Sequence, residues 1–178
     1  PSTDPIPEND QHEEVKHRYS HKNELAYPGF YSIELPQNGI NVELTGTRRV
    51  GFHRYTFSDN ASPNLIIDIT HALGDKRSED GYLKILNDRE ISGHVRTFGS
   101  FASRYGGIKV YFAGRFSSPV EKHQVWRDQQ SIEHSDAYRG DNLQSQFTFG
   151  DKIVELKLAI SHVSMENAWE NLEEEVGD

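Results

Sequence analysis

Lys152-Ile153-Val154-Glu155-Leu156-Lys157-Leu158-Ala159-Ile160-Ser161-His162-Val163 alternates side-chain character residue by residue. Val154, Leu156, Leu158 and Ile160 fall on one side of an extended chain, and Glu155, Lys157 and Ser161 fall on the other. A period of two belongs to a strand, because successive Cβ atoms of an extended chain point to opposite faces. Apolar residues on one face only describe an antiparallel sheet with one buried and one wet face. This segment sets the fold class as mostly β.

Toward the N-terminus the same signal recurs in short pieces. Tyr31, Ile33 and Leu35 share one face, and Pro36-Gln37-Asn38-Gly39 turns the chain into Ile40, Val42 and Leu44. Further strands are expected over residues 50–57 and 64–69, with 58–63 as the loop between them. Residues 82–86 and 91–101 read as a hairpin around Asn87-Asp88. Residues 108–116 and 120–126 follow, divided by Ser117-Ser118-Pro119. Residues 127–144 are polar and aperiodic, which reads as a mobile excursion. Residues 1–18 carry prolines and charges without an apolar period and read as a leader or loop.

On the C-terminal side the period changes. Ser164 suits a helix N-cap, and Glu166 complements the positive end of a helix beginning at Met165. Ala168, Trp169, Leu172 and Val176 recur at helical spacing. The expected organisation is a leader at 1–18, an antiparallel β-sandwich at 19–163, and a C-terminal linker helix at 164–178. A further reading is a structural interaction domain whose helix stripe, through Trp169 and Leu172, docks on a partner.

Composition bounds the function. At 178 residues the chain is long enough for one domain with its own core. Its 11% aromatic content favours a β-rich core, although apolar content is only 34% and mean hydropathy is −0.76. A net charge of −9 argues against a nucleic-acid partner, since phosphate contacts need clustered Lys and Arg. With no cysteine, disulfides and thiolate metal sites are excluded. No apolar run reaches membrane-spanning length, so no membrane partner is expected.

Candidate chemistry is sparse. Gly51-Phe52-His53-Arg54-Tyr55-Thr56-Phe57 stands out because neither face is purely apolar. It reads either as a sugar-binding surface or as a sheet interior whose polar groups are paired. The nine histidines show no metal-binding spacing such as HExxH. Asp68 with His71, and the carboxylates at 136–141, lack calcium-loop spacing. Glu173-Glu174-Glu175 reads as a solvent-facing charge run. Gly106-Gly107 lacks the Lys-Ser/Thr of a phosphate loop, and Ser161 and Ser164 beside His162 form no nucleophile elbow. No acidic pair is singled out as a glycosidase requires.

Several segments in order nevertheless resemble glycoside hydrolase family 92. They are Tyr19-Ser20-His21-Lys22-Asn23-Glu24 with Ala26-Tyr27-Pro28-Gly29-Phe30-Tyr31-Ser32, the long run from Gly39-Ile40-Asn41-Val42-Glu43-Leu44 to Arg48-Arg49-Val50-Gly51-Phe52-His53-Arg54-Tyr55, Gly93-His94-Val95-Arg96, and Ile160-Ser161-His162-Val163-Ser164 with Asn171-Leu172-Glu173. The resemblance implies the later part of an N-terminal β-sandwich, incomplete here, that precedes a helical catalytic domain. It implies calcium-dependent, exo-acting hydrolysis of terminal α-linked mannose with inversion, α-1,2 linkages being the expected substrate. The acid, the base and most calcium ligands would belong to the helical domain, so no catalytic or metal residue is assigned here. The implied partners are a mannose-containing oligosaccharide and that helical domain, in a secreted or periplasmic protein. A carbohydrate-binding sandwich without catalysis is the alternative, with His53, Arg54, Arg104 and Tyr105 as its substrate-binding surface.

Overall fold

A computed structural model describes residues 19–73, 76–99 and 101–177. The leader expected at 1–18 lies outside the described residues. The decisive segment is a central strand. In chain order the strands are β1 (Glu24–Tyr27), β2 (Phe30–Leu35), β3 (Ile40–Gly46), β4 (Val50–Phe57), β5 (Asn64–Asp68), β6 (Arg77–Ile85), β7 (Glu90–Phe98), β8 (Ile108–Phe116), β9 (Val120–Arg127), β10 (Gln130–Ser131), β11 (Ala137–Gly140), β12 (Leu143–Phe149) and β13 (Ile153–Ser161). The helix α1 (Met165–Val176) follows.

Among the described residues these strands make two antiparallel sheets. A nine-stranded sheet runs β1-β2-β3-β4-β13-β8-β7-β6-β11, and a four-stranded sheet runs β10-β9-β12-β5. Strand β13 lies between β4 and β8, with Leu156 opposite both His53 and Phe116. Its Val154 and Leu156 sides meet the four-stranded sheet in a shared core with Leu83, Phe116, Leu143, Phe147 and Phe149. The fold is the antiparallel β-sandwich expected from the alternation.

The opposite face of β13 is not wholly wet. Its first half is, where Glu155 pairs with Arg54. Its second half is closed by α1, which buries Leu172 against Val50 and Ala159 with Trp169 and Val176 alongside. This corrects the expectation that the helix stripe awaits an outside partner: the stripe is used within the chain. Ser164 caps the helix by accepting from the Asn167 N–H at 3.0 Å.

The segment read as a mobile excursion is also corrected. It holds β10, β11 and the start of β12, with Leu143 fully buried and Tyr138 5% exposed. In the rest of β12 the polar residues pair instead of meeting water. Ser145 donates to the Ile67 carbonyl at 3.2 Å, and Gln146 donates to Asn64 at 2.8 Å. Strand β6 begins at Arg77, earlier than expected, and carries a bulge between Glu79 and Tyr82.

Candidate functional site

Strand parity separates the two sugar-contact candidates on β4. His53 lies opposite Leu44 and Leu156 and faces the sandwich interior. There its Nδ1 lies 2.9 Å from the Tyr55 hydroxyl. A Cβ on Gly51 would stand 3.1 Å from His53 Nε2, so glycine gives the imidazole its room. Burial pushes the His53 imidazole down and the Tyr55 phenol up to about 12, both favouring neutral forms. Arg54 points out of the opposite face. It reaches Glu155 at 2.7 Å and Glu43 at 3.7 Å, the two residues directly across from it on neighbouring strands.

Arg104 and Tyr105 lie elsewhere. They end a 3-10 turn, Ala102–Tyr105, which the left-handed Gly106 closes. Tyr105 is 74% exposed, with its ring 5.6 Å from that of Phe101. The His53 row crosses β8 at Phe116, while the turn precedes Ile108 at the other end of that strand. At 3.3 Å per residue these rows stand about 26 Å apart along the strand. The four residues therefore form no common surface. They divide between two faces and two ends of one sheet, and this corrects the joint sugar-binding surface.

Two halves of the outer face of the nine-stranded sheet carry the remaining polar architecture. The half under α1 is a closed set of ion pairs. Arg49 donates to Glu175 at 2.5 Å, to Asn171 at 2.5 Å and to Glu174 at 3.1 Å, and its backbone N–H also reaches Glu175 at 3.0 Å. The Thr47 hydroxyl donates to the same carboxylate. These bonds to Thr47 and Arg49 hold the Glu175 carboxyl down at about 2. Arg115 joins Glu90 at 3.0 Å and Glu173 at 2.5 Å and lies over the Trp169 ring. The glutamate run is thus not simply solvated: its charges oppose the helix dipole at that end, and the two arginines offset them.

The half beyond the helix, on β8, β7, β6 and β11, is different. One register row runs Tyr111, His94, Tyr82, Arg139. The His94 ring sits 5.2 Å from Tyr82 and 5.7 Å from Tyr111. His94 is 6% exposed, and neither ring nitrogen has a hydrogen-bond partner. The nearest carboxylate, Asp80, stays 3.8 Å from Nε2 and is held by Lys109 at 2.8 Å. Asp80 belongs to the β6 bulge and has φ of 54°. Sequence reading missed this row. The signal was the alternation of Gly93-His94-Val95-Arg96, which puts His94 opposite the core-facing Val95.

A polar cleft of about 660 Å³ opens at the sandwich edge, lined by Asp68, His71, Asp128 and Asn142 among others. Its carboxylates are occupied: Asp68 accepts from Gln144 at 2.9 Å and Asp128 from Asn142 at 2.6 Å. Among the described residues no three His, Asp or Glu side chains converge as a metal ion needs. The two carboxylates of this cleft are engaged within the chain, and calcium enters no step assigned to these residues.

Residues 1–161 match the family described as the glycosyl hydrolase family 92 N-terminal domain. The chain belongs to this family. The family 92 α-mannosidase BT3965 from Bacteroides thetaiotaomicron, solved with mannoimidazole, superposes with a TM-score of 0.82 at 28% identity, covering 99% of this chain and 24% of that one. The family 92 glycosyl hydrolase ccman5 gives 0.77 at 28% identity over 91% of this chain and 23% of its own. The inverting mannosidase BT2199 from Bacteroides thetaiotaomicron VPI-5482 shares the fold, with a TM-score of 0.77 at 22% identity over 90% of this chain and 21% of that one. No curated protein matches. This family 92 domain spans about a quarter of the length of its solved relatives (24% of BT3965).

Proposed function

We propose that this chain is the sandwich domain of an exo-acting α-mannosidase that removes terminal α-linked mannose, with α-1,2 linkages as its substrate and inversion at the anomeric carbon. The observation that carries the reading is the family 92 match over residues 1–161 on a sandwich that superposes with the α-mannosidase BT3965. The chain serves as scaffold. Carboxylates of its glutamate run are engaged in structural pairs, Glu175 with Arg49 and Glu173 with Arg115. The reacting acid and base and the calcium ion belong to a helical domain that α1 leads into, and the chain alone is inactive. The protein works outside the cytoplasm, secreted or periplasmic, where mannose-containing oligosaccharides are met.

Of the four sugar-contact candidates, Arg104 and Tyr105 keep that role. Both are exposed on their turn, with Phe101 adding a second exposed ring at 71%. Aromatic faces beside a guanidinium suit the apolar face and hydroxyls of a pyranose. His53 and Arg54 are held within the sheet. The test follows the first-formed sugar by proton NMR, using α-1,2-linked mannobiose and the longer enzyme that contains this domain. Initial release of β-mannose is expected. Initial release of α-mannose, or no cleavage of the α-1,2 bond, overturns the reading.

A further inference from the structure

The open half of the outer face holds an exposed cation with no acceptor among the described residues. Asp80 pairs with Lys109 at 2.8 Å and donates its backbone N–H to the Asp141 carboxylate at 2.9 Å, while Arg139 acts on Asp80 electrostatically. The Arg139 guanidinium lies 4.4 Å above the Tyr82 ring, is solvent-exposed and meets no hydrogen-bond acceptor among the described residues. A guanidinium resting over an aromatic ring keeps N–H donors that can receive two oxygens of one anion. Lys109 is thus paired with a carboxylate and Arg139, among the described residues, is not, in a chain whose net charge is −9.

Two unfavourable features sit in the same place. Asp80 holds a left-handed φ of 54° at a bulge, a conformation that costs free energy in any residue other than glycine. His94 is 6% exposed with both ring nitrogens unpaired, which also costs free energy. The nearby Asp80 oxygen would relieve His94, but the Lys109 ammonium holds it 3.8 Å away. Bulges re-aim side chains at functional positions, and here the bulge turns Asp80 onto the His94 row. An incoming anion that took Lys109 would free Asp80 to close on His94 Nε2, satisfying both groups.

We propose that Arg139 and Lys109, with Asp80 as an internal competitor and His94 as its second resting place, form a binding site for an oxyanion of carboxylate or phosphate type. Bound anion bridges the guanidinium edge and the ammonium, and Asp80 moves to the imidazole.

The test uses nitrogen-15-labelled 178-residue chain at neutral pH. The side-chain signals of Arg139 Nε and the His94 ring are followed during titration with inorganic phosphate, and separately with acetate, each against sodium chloride at matched ionic strength. Saturable shifts of both signals at millimolar anion are expected. Saturation by phosphate alone assigns a phosphate group, and saturation by acetate assigns a carboxylate. Arg139→Gln should weaken binding at least ~10-fold, the scale of one bidentate charge-assisted contact. Asp80→Asn, which keeps a residue tolerant of the left-handed backbone, should tighten binding severalfold by removing the competitor. A merely structural Asp80 would give no tightening. Shifts reproduced by chloride, affinity unchanged in Arg139→Gln, or affinity unchanged or weakened in Asp80→Asn would each overturn the proposal.

Discussion

The outer face of the nine-stranded sheet is two surfaces built from the same kinds of residue. Under α1, cations meet carboxylates in closed sets: Arg49 with Glu174 and Glu175, Arg115 with Glu90 and Glu173. Beyond α1, Arg139 rests on Tyr82 without an acceptor and His94 is buried without a hydrogen-bond partner among the described residues. The first surface spends its charges on holding a helix. The second leaves them available. The lesson is that charge content does not distinguish scaffold from binding surface, whereas the completeness of pairing does.

The contrast breaks most sharply at Leu172, which is fully buried between α1 and the sheet. Leu172→Ala should cost about 2–5 kcal/mol in urea unfolding, as truncation of a buried leucine leaves a cavity. A loss below about 1 kcal/mol would mean that the helix contributes little to the fold. Next in size, Ser164→Ala should cost about 1 kcal/mol by removing the N-cap acceptor of the Asn167 N–H. Arg49→Met should lower the urea midpoint less than Leu172→Ala, because the guanidinium is 40% exposed and its pairs are weakened by solvent.

Acid sharpens the same comparison. The Glu175 carboxyl is lowered from 4.5 to about 2 by Thr47 and Arg49. A carboxylate with a depressed folded-state value stabilises the fold above its unfolded value and loses that contribution as protons are added. Stability should therefore fall as pH drops from 4.5 toward about 2. Arg49→Met should flatten that limb in pH-dependent unfolding, and an unchanged limb would remove Glu175 from the helix clamp. The smallest effect belongs to the open half. Arg139→Gln should change stability by no more than about 0.5 kcal/mol, although it removes an anion contact.

Much of the fold was legible because the relevant strands alternate. β13, β8 and β3 carry apolar residues on one face, and α1 announces itself by an N-cap and a stripe. β12 was illegible for a physical reason. Its Gln144, Ser145 and Gln146 are polar in sequence but satisfied by Asp68, the Ile67 carbonyl and Asn64 in space. Pairing across strands hides from a one-dimensional pattern. The site was less legible still. His53 and Arg54 are adjacent in sequence, yet parity sends them to opposite faces. The His94 row draws single residues from four strands, and only the register brings them together. The glutamate run misled for the converse reason, since its partners lie far away in sequence, Arg49 in the β3–β4 turn and Arg115 on β8.

The claim that this domain is scaffold, with its chemistry supplied from outside residues 1–178, meets its most direct test in a mannose-release assay. The isolated chain is incubated with α-1,2-linked mannobiose, with and without calcium, and free mannose is quantified. Release no faster than in buffer is the predicted result under both conditions. Sustained turnover by the isolated chain would contradict it.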